Sequence, residues 1–268
     1  MLTLVTATLN AARFLDRALA SAVQQQLPLQ HLVIDGGSTD DTVAIARSQP
    51  TVETLVVPGC TLYEAWNLGI ERARGDIVMF LNADDELGDC AVTEILAVAA
   101  GHPGAEIVAG NAEFVTAGGT RLLRAIPTDE LDVGQLALGV PAINAMAFRR
   151  SLFARSGMFE TCYRVAGDRA FLLRLALSSD PPRVARVDSV LYRYHVHGGS
   201  LTLFPGLEQR LRIARDHIAL SRALLDQDPP ASAKLWLRHM RRREAAVATL
   251  RCLAVGQPNV ALEFARQL

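Results

Sequence analysis

Ile77-Val78-Met79-Phe80-Leu81-Asn82-Ala83-Asp84-Asp85-Glu86 is the stretch that decides the fold, because an apolar run stops abruptly at a cluster of carboxylates. This pattern predicts a buried strand of a parallel sheet that ends in an acidic loop. In open α/β sheets, ligands bind just outside the carboxyl ends of the strands. Carboxylates at that place can bind Mg²⁺ or Mn²⁺ and join the cation to the phosphates of a substrate. The first hypothesis is therefore a metal-dependent site for a phosphorylated donor.

Length, charge and cysteine content exclude several other classes of protein. The chain has 268 residues, which suggests one domain with an elaboration or two small domains, and its net charge of −1 gives no basis for bulk binding of nucleic acid. The four cysteines are scattered without a CxxC pair, so we expect neither a zinc site nor a disulfide scaffold. We expect instead that the protein works in the reducing environment of the cytoplasm. We also expect no signal peptide and no membrane-spanning helix.

The first third of the chain alternates between strand and helix patterns. Further strands are predicted at 2–8, 31–34 and 54–57, with helices at 14–23, near 38–47 and from residue 61. Ser38 with Asp41, and Thr61 with Glu64, resemble capping boxes that open the second and third helices, and Asp89 resembles the cap of a fourth. This order predicts a doubly wound, mostly parallel sheet flanked by helices.

The alternation weakens after residue 105. A hairpin is predicted around Gly118-Gly119, a helix at 151–157, another at 168–178 and a strand at 183–194. From residue 207 the pattern is helical and is broken at Asp228-Pro229-Pro230. We therefore predict an α/β domain over 1–204, made of halves 1–105 and 106–204, and a C-terminal helical extension over 205–268.

Each candidate functional group also has a purely structural interpretation. Asp35 precedes Gly36-Gly37 at a strand end, where it either contacts a nucleotide or shapes the turn into the next helix. Asp168 is either an acid favoured by a helix dipole or a general base. His195 and His197 share one face only if their strand continues through His197, and we expect no more than one of them to bind a metal or phosphate.

A basic cluster lies in the predicted C-terminal helices, where apolar and aromatic residues are interspersed with it. Its arginines are Arg238, Arg241, Arg242 and Arg243, and its apolar neighbours are Leu235, Trp236, Leu237 and Met240. Such a sequence forms either a solvated helix face or a peripheral contact with a membrane surface. Both interpretations stay open at this point.

Five segments, taken in order, resemble family 2 glycosyltransferases of the GT-A fold. They are 5–10, 33–40, 63–70, 75–85 and the group formed by 148–153, 157–160, 167–168 and 173–175. Each segment is modest by itself, but five in the family's order are hard to obtain by chance. The resemblance covers about residues 2 to 202 and leaves the helical tail outside.

The resemblance implies roles for individual residues. Donor contacts are implied for Ala7, Leu9, Asn10, Asp35, Asn67, Asn82 and Asp84, metal binding for Asp84, Asp85 and His197, and general-base catalysis for Asp168. Asp84 matches the last acid of the family's DxD-like motif, and Asn82 stands at its first position, where aspartate is common. His195 is the second choice after His197.

Three departures from the family pattern bear on the identity of the donor more than on the reaction type. Leu9 stands where an aromatic residue often stacks on the base. Pro58-Gly59-Cys60-Thr61 replaces a loop that usually carries an acid, and Ile143-Asn144 replaces a His-Gln pair.

The reaction implied by the resemblance is inverting transfer of a sugar from a nucleotide-diphosphate donor, with UDP expected, to a hydroxyl of a glycan or lipid-linked acceptor. The reaction is expected to require Mn²⁺ or Mg²⁺. The protein is expected in the cytoplasm, or bound peripherally at the inner face of the membrane. Two alternatives stay open. One is an inactive nucleotide-sugar-binding protein with a regulatory or assembly role. The other is a nucleotidyltransferase, which would need a glycine-rich basic loop that Thr6–Arg13 does not contain.

Overall fold

The computed structural model describes residues 1–116, 118–124, 129–140, 142–198 and 206–268. Within these residues the strands are β1 (Leu2–Thr8), β2 (Leu29–Asp35), β3 (Val52–Val56), β4 (Ile77–Asn82), β5 (Glu86–Leu87), β6 (Ile107–Thr116), β7 (Gly119–Arg124), β8 (Met146–Arg149) and β9 (Val184–His195). The helices are α1 (Ala12–Val23), α2 (Thr42–Ser48), α3 (Leu62–Arg72), α4 (Ala91–Gly101), α5 (Val133–Leu138), α6 (Arg150–Ser156), α7 (Gly167–Ala176), α8 (Leu207–Leu225), α9 (Ala231–Ala254) and α10 (Pro258–Ala265). A short 3-10 helix spans Ile143–Ala145.

Contacts divide the chain into two units. The described residues within 1–131, 142–161 and 180–195 form the first unit, and those within 132–141, 162–179 and 196–268 form the second. All the strands named above lie in the first unit, and α5, α7 and the C-terminal helices lie in the second. The predicted domain boundary at residue 204 lies outside the described residues and stays a prediction.

One sheet organises the first unit. Its parallel part has the order β3-β2-β1-β4, and β8 joins β4 in the antiparallel sense. Beyond β8 come β6, β9 and β5, with β7 paired to β6. The register places Thr8 opposite Asp35 and Ala7 opposite Asn82, so the carboxyl ends of β1, β2 and β4 meet at one edge. This α/β sheet with flanking helices confirms the predicted fold class.

The core of the first unit is made of the apolar runs of β1 and β4 and the helix that packs against them. Phe80 and Trp66 stack with ring centroids 4.4 Å apart, and Phe159 packs edge-on to Phe80 at 5.3 Å. Helix α3 comes so close to β1 that a Cβ on Gly69 would lie 2.3 Å from a methyl carbon of Val5. Burial of each large apolar side chain contributes roughly 1.5–3 kcal/mol, so these strands fix the position of the acidic loop that follows them.

The second unit contains the C-terminal helices, which confirm the predicted helical extension and its break after α8. Its buried cluster consists of Leu211, Ala214, Ile218, Ala245, Ala248, Cys252, Ala261 and Phe264. The buried Ser221 hydroxyl donates to the Leu237 carbonyl at 2.7 Å and ties α8 to α9. No helix in the described part of the chain is long and apolar enough to cross a membrane.

The predicted helix starts are only partly right. Thr61 and Glu64 form the predicted capping box at the start of α3. The box predicted for Ser38 and Asp41 is wrong, because α2 begins at Thr42, which donates both its N–H and its hydroxyl to Asp40.

The cap predicted at Asp89 is also wrong. Helix α4 begins at Ala91 after Cys90. Asp89 instead pairs with Arg193 at 2.7 Å. The Asp89 carboxylate therefore forms an ion pair and does not cap the helix.

The buried His31 predicts a loss of stability in acid. Its Nε2 lies 2.9 Å from the Thr6 hydroxyl, and burial lowers the pKa of His31 from 6.5 to about 4. As the pH falls below 6.5, the unfolded chain gains a proton on this imidazole that the folded protein does not accept until about pH 4. The free energy of unfolding should therefore fall by about 3 kcal/mol across that window because of this group.

Urea unfolding of the wild type and of His31→Gln between pH 7 and pH 4 measures this contribution. Other carboxylates titrate in both proteins, so the prediction concerns the difference between the two curves. A constant difference across that range would contradict it.

Candidate active site

The carboxyl edge of the parallel strands brings together most of the residues predicted to bind a donor. Ala7 and Asn82 are register partners on β1 and β4, and Asp35 closes β2 beside them. Asn10 follows β1, and Asp84 lies in the turn after β4. Parallel strands joined by right-handed crossovers place their carboxyl ends on one side, so the predicted type of sheet accounts for this arrangement.

The acidic loop is held from within by Asp85, which is only 3% exposed. Its carboxylate accepts hydrogen bonds from the Tyr192 hydroxyl at 2.8 Å, the Asn82 side-chain amide at 3.0 Å and the His195 N–H at 2.8 Å. The Tyr192 hydroxyl in turn accepts the Asn82 N–H at 2.9 Å. These bonds connect the end of β4 to the end of β9 and fix the backbone on either side of Asp84.

The two adjacent acids have different surroundings. Burial, and secondly the charge of Asp84, raise the pKa of Asp85 to about 7. The oxygens of Asp85 already accept three hydrogen bonds from the protein. Asp84 is half-buried, and its backbone carbonyl accepts a hydrogen bond from Arg17 of α1. Asp85 therefore supports the loop, and a ligand contact by Asp84 stays a prediction.

A second layer of polar groups lies beside this loop. The buried Asn144 donates to the Phe80 carbonyl at 3.1 Å and accepts the Tyr194 hydroxyl at 3.3 Å. The His195 ring bonds to the Glu86 carboxylate. Strand β9 ends at His195 and does not continue through His197. His195 and His197 therefore do not share one face of a strand.

Asp35 is also a buried carboxylate that shapes a turn. One oxygen accepts the N–H groups of Gly37 and Ser38 at 2.9 and 2.7 Å, and the other accepts the hydroxyls of Thr8 and Ser38 at 2.8 and 2.6 Å. Burial alone would raise the pKa of Asp35, but these hydrogen bonds outweigh it and lower the pKa. All four acceptor positions are occupied by the protein, so a direct contact between Asp35 and a nucleotide stays a prediction.

Asn10 and Leu9 extend the loop after β1 over this turn. Asn10 has φ of +50°, and its N–H donates to the Ser38 hydroxyl at 2.8 Å while its side-chain oxygen accepts the Thr39 N–H at 2.9 Å. Leu9 is exposed and lies against Gly36, where an added Cβ would be 3.6 Å from a Leu9 methyl. The edge of the site therefore presents an apolar side chain on a loop with a fixed backbone.

An open pocket of about 450 Å³ lies between the end of β3 and α3, lined by residues 57–60, 64, 67, 68 and 71. Asn67, one of the predicted donor ligands, lines it. The Asn67 amide also donates to the Phe159 carbonyl at 2.9 Å and accepts the Phe159 N–H at 3.0 Å. This residue therefore supports the wall of the pocket and keeps one amide proton and one lone pair for a ligand.

The donor set around Asp84 fits a cation that is shared with a ligand. Among the described residues, no group of three or more His, Cys, Asp or Glu side chains is placed to hold a metal ion. Mg²⁺ in proteins is commonly held by one or two carboxylates together with substrate phosphates and water. Asp84, with the Asn82 amide oxygen nearby in the chain, matches that pattern and does not match a cage made of protein alone.

The remaining two predicted residues, Asp168 and His197, lie in the second unit. Asp168 is in the first turn of α7, where its carboxylate accepts the Arg169 N–H at 2.7 Å. The buried Arg169 side chain donates to three carbonyls, those of Leu136, Ala137 and Gly139, and so anchors the start of α7 to the α5 segment. The catalytic role of Asp168 and the metal role of His197 stay predictions.

No sequence pattern marked Arg17, Tyr192 or Tyr194 as part of the site. Their partners at the acidic loop and at Asn144 are between 50 and 110 residues away in the chain. The one available signal was the pair of tyrosines at alternate positions near the end of a predicted strand.

The comparison with known families decides the class of this site. The model described as glycosyl transferase family 2 matches residues 3–157. The chain belongs to this family. The match includes β1 to β4, the acidic loop and the pocket beside α3, which are the parts of this glycosyltransferase that carry the candidate site.

Relatives in sequence agree with this assignment. A PGL/p-HBAD biosynthesis glycosyltransferase of Mycobacterium bovis is 30% identical over 207 residues, which are 74% of this chain and 78% of the relative. An uncharacterized glycosyltransferase of Mycobacterium tuberculosis is 29% identical over 185 residues, which are 66% of this chain and 69% of that one.

Two solved structures share the fold of this glycosyltransferase. One is S. aureus TarS 1-349 in complex with UDP-GlcNAc, with a TM-score of 0.71, 16% identity and coverage of 99% of this chain and 81% of that one. The other is the mannosyltransferase PcManGT from Pyrobaculum calidifontis in complex with GDP-Man and Mn²⁺, with a TM-score of 0.65, 19% identity and coverage of 99% and 78%. At these identities the likeness concerns the fold alone.

Replacement of the Tyr192 hydroxyl should destabilise the loop. In Tyr192→Phe, the Asn82 N–H loses its acceptor and the buried Asp85 loses one donor, so we expect the free energy of unfolding to fall by about 1–3 kcal/mol. Tyr194→Phe is the matched control, because its hydroxyl makes a longer bond of 3.3 Å to Asn144. Urea unfolding at pH 7 measures both variants. Equal losses in the two would contradict the special role given to Tyr192.

Proposed function

We propose that this glycosyltransferase transfers a sugar from a nucleotide-diphosphate sugar, with UDP the expected nucleotide, to an acceptor hydroxyl with inversion at the anomeric carbon. The observation that carries the proposal is the carboxyl edge of β1, β2 and β4, where Asp84 lies in a loop fixed by buried hydrogen bonds. Solved proteins of the same fold in complex with UDP-GlcNAc and with GDP-Man and Mn²⁺ support a donor of this class.

Donor binding uses the two loops that follow β1 and β2 and the pocket beside α3. The exposed Leu9 offers an apolar surface to the base in place of an aromatic ring. Asn10 and Asp35 fix the turn of Gly37 and Ser38 and so keep the backbone close to the ligand. Ala7, Asn67 and Asn82 complete the proposed contacts, and the Asn82 amide is suited to hydrogen bonds with ribose or phosphate oxygens.

Asp84 is the proposed ligand of a divalent cation, Mn²⁺ or Mg²⁺, with His197 as a further ligand and Asp85 in support. Such a cation, when bound, stabilises negative charge on the departing diphosphate. Asp84 can serve this role because the loop holds its backbone while its side chain is half-buried at the edge of the sheet. Asn82 and the buried Asp85 keep the number of free negative charges low beside the diphosphate.

Asp168 is the proposed general base. It accepts the proton of the acceptor hydroxyl while the oxygen forms a bond to the anomeric carbon and the bond from that carbon to the diphosphate breaks. Attack from the face opposite the leaving group inverts the centre. Asp168 lies in the first turn of α7, next to the buried Arg169 that anchors this helix to the α5 segment. The acceptor is a glycan or a lipid-linked hydroxyl.

Asp84→Ala should remove the part of nucleotide binding that depends on the cation. Calorimetric titration of UDP and GDP with and without Mn²⁺ measures it, and we expect the Mn²⁺-dependent gain in affinity to fall by about tenfold or more. Asp76→Ala is the matched control, because Asp76 precedes the opposite end of β4 and its side chain is 79% exposed. An unchanged Mn²⁺ effect in Asp84→Ala would remove this residue from the cation site.

Asp168→Asn should stop transfer and leave donor binding intact. Release of nucleoside diphosphate from a panel of nucleotide sugars should fall by about 10²–10⁴-fold, the usual contribution of a general base. Glu208→Gln, an exposed acid of the second unit, is the control. Wild-type turnover in Asp168→Asn would show that another group is the base. Binding of a nucleotide sugar by the wild type without turnover of any member would instead indicate a binding protein of this fold.

A further inference from the structure

The outer side of α9 and α10 carries large apolar side chains in water. Leu235 and Leu250 are 65% and 67% exposed, and Leu253, Val255 and Leu262 are also exposed. Together with Trp236, Arg238 and Arg242, these residues are called the C-terminal surface below. Isolated exposed apolar residues are common, but a group on neighbouring helices usually marks a surface that contacts something.

The C-terminal surface is the outer face of α9 continued onto α10. The buried residues of α9 include Leu237, Met240 and Ala248, and Ala248 belongs to the cluster shared with α8 and α10. At about 100° per residue, Leu235, Arg242, Leu250 and Leu253 fall on the opposite side of the helix. These side chains therefore point away from the core of the second unit as one group.

The charge of this region is strongly positive. Seven Lys or Arg and two Glu give residues 231–268 a net charge of +5, in a chain whose total is −1. Of the two acids, Glu244 is half-buried against His217 and Arg243, and Glu263 pairs with Arg215. Within the described residues, no carboxylate side chain pairs with Arg238 or Arg242.

Trp236 lies beside these residues with its ring partly exposed. One side of the ring packs so closely on Gly134 that an added Cβ there would lie 2.8 Å from it. Trp236 is 39% exposed, so an aromatic ring with a polar N–H lies next in sequence to the exposed Leu235. Tryptophan is favoured where apolar and wet surroundings meet.

We propose that the C-terminal surface docks on the face of an anionic phospholipid bilayer. The net charge of +5 over residues 231–268 complements an anionic surface. Leucines share one face with Arg238 and with Arg242, whose guanidinium also donates to the Leu268 backbone oxygen at 3.2 Å. Apolar and basic residues on one face are the composition of helices that lie among lipid headgroups. Leucines enter the acyl boundary, while arginines extend to the phosphates. The inference does not depend on the proposed transfer reaction.

Vesicle binding by the full chain tests the proposal. We expect the protein to co-sediment with vesicles of phosphatidylglycerol and phosphatidylcholine in equal parts, to bind vesicles of phosphatidylcholine alone much less, and to lose binding as salt is raised. Trp236 supplies a direct readout, because the only other tryptophan, Trp66, is buried. Its emission should shift to the blue with the anionic vesicles, and the shift should be absent in Trp236→Phe.

Two pairs of substitutions separate the apolar and the electrostatic contributions. Leu250→Glu with Leu253→Glu, and Arg238→Glu with Arg242→Glu, should each weaken vesicle binding by about tenfold or more. Val23→Glu is the matched control, because Val23 is an exposed valine at the end of α1 in the first unit. All five positions are exposed, and thermal unfolding of each variant confirms that the fold is kept.

A second copy of the chain is the competing occupant, and light scattering after size exclusion tests it in parallel. A dimer that the Leu250→Glu and Leu253→Glu pair dissociates, together with no binding to anionic vesicles, would overturn the proposal in favour of self-association. A monomer that does not bind the anionic vesicles would also overturn it. Equal binding to both kinds of vesicle would refute the electrostatic part.

Discussion

The buried carboxylate of Asp85 is the constraint on which the candidate site depends. A buried ionisable group is costly unless hydrogen bonds satisfy it, and here the donors are the Tyr192 hydroxyl, the Asn82 amide and the His195 N–H. Because Tyr192 lies 107 residues beyond Asp85, the acidic loop takes its conformation only when β9 has paired with its neighbours. Assembly of the sheet and formation of the site are therefore one event.

Asp35 and Asp85 reveal a common construction at the edge of the sheet. In both places the oxygens of a buried carboxylate accept hydrogen bonds from the protein, and these bonds fix the conformation of a loop. The neighbouring residues, the exposed Leu9 beside the first turn and the half-buried Asp84 in the second loop, are held in place by these loops. Rigid support of this kind is what a preorganised site requires.

Local patterns in the sequence predicted the strands and the Thr61–Glu64 capping box, because these depend on residues close together in the chain. The same reasoning failed at Ser38, whose hydroxyl and N–H bond to Asp35, so that Asp40 takes over the start of α2. It also failed at Asp89, which pairs with Arg193. In each case a tertiary contact overrode a sound local preference. Tyr192 was missed for the same reason, since nothing near it in the sequence marks its partner.

The burial of Asp85 gives a physical reason for an asparagine, in place of an aspartate, at position 82. Its side-chain amide donates to Asp85 at 3.0 Å, which an ionised aspartate at that position cannot do. An aspartate there would also add a third carboxylate within four residues and oppose the ionisation of the others. The departure from the DxD-like pattern therefore matches the burial of Asp85. Under the proposed cation role of Asp84, phosphate oxygens of the donor would complete the coordination, so cation and donor are expected to bind together.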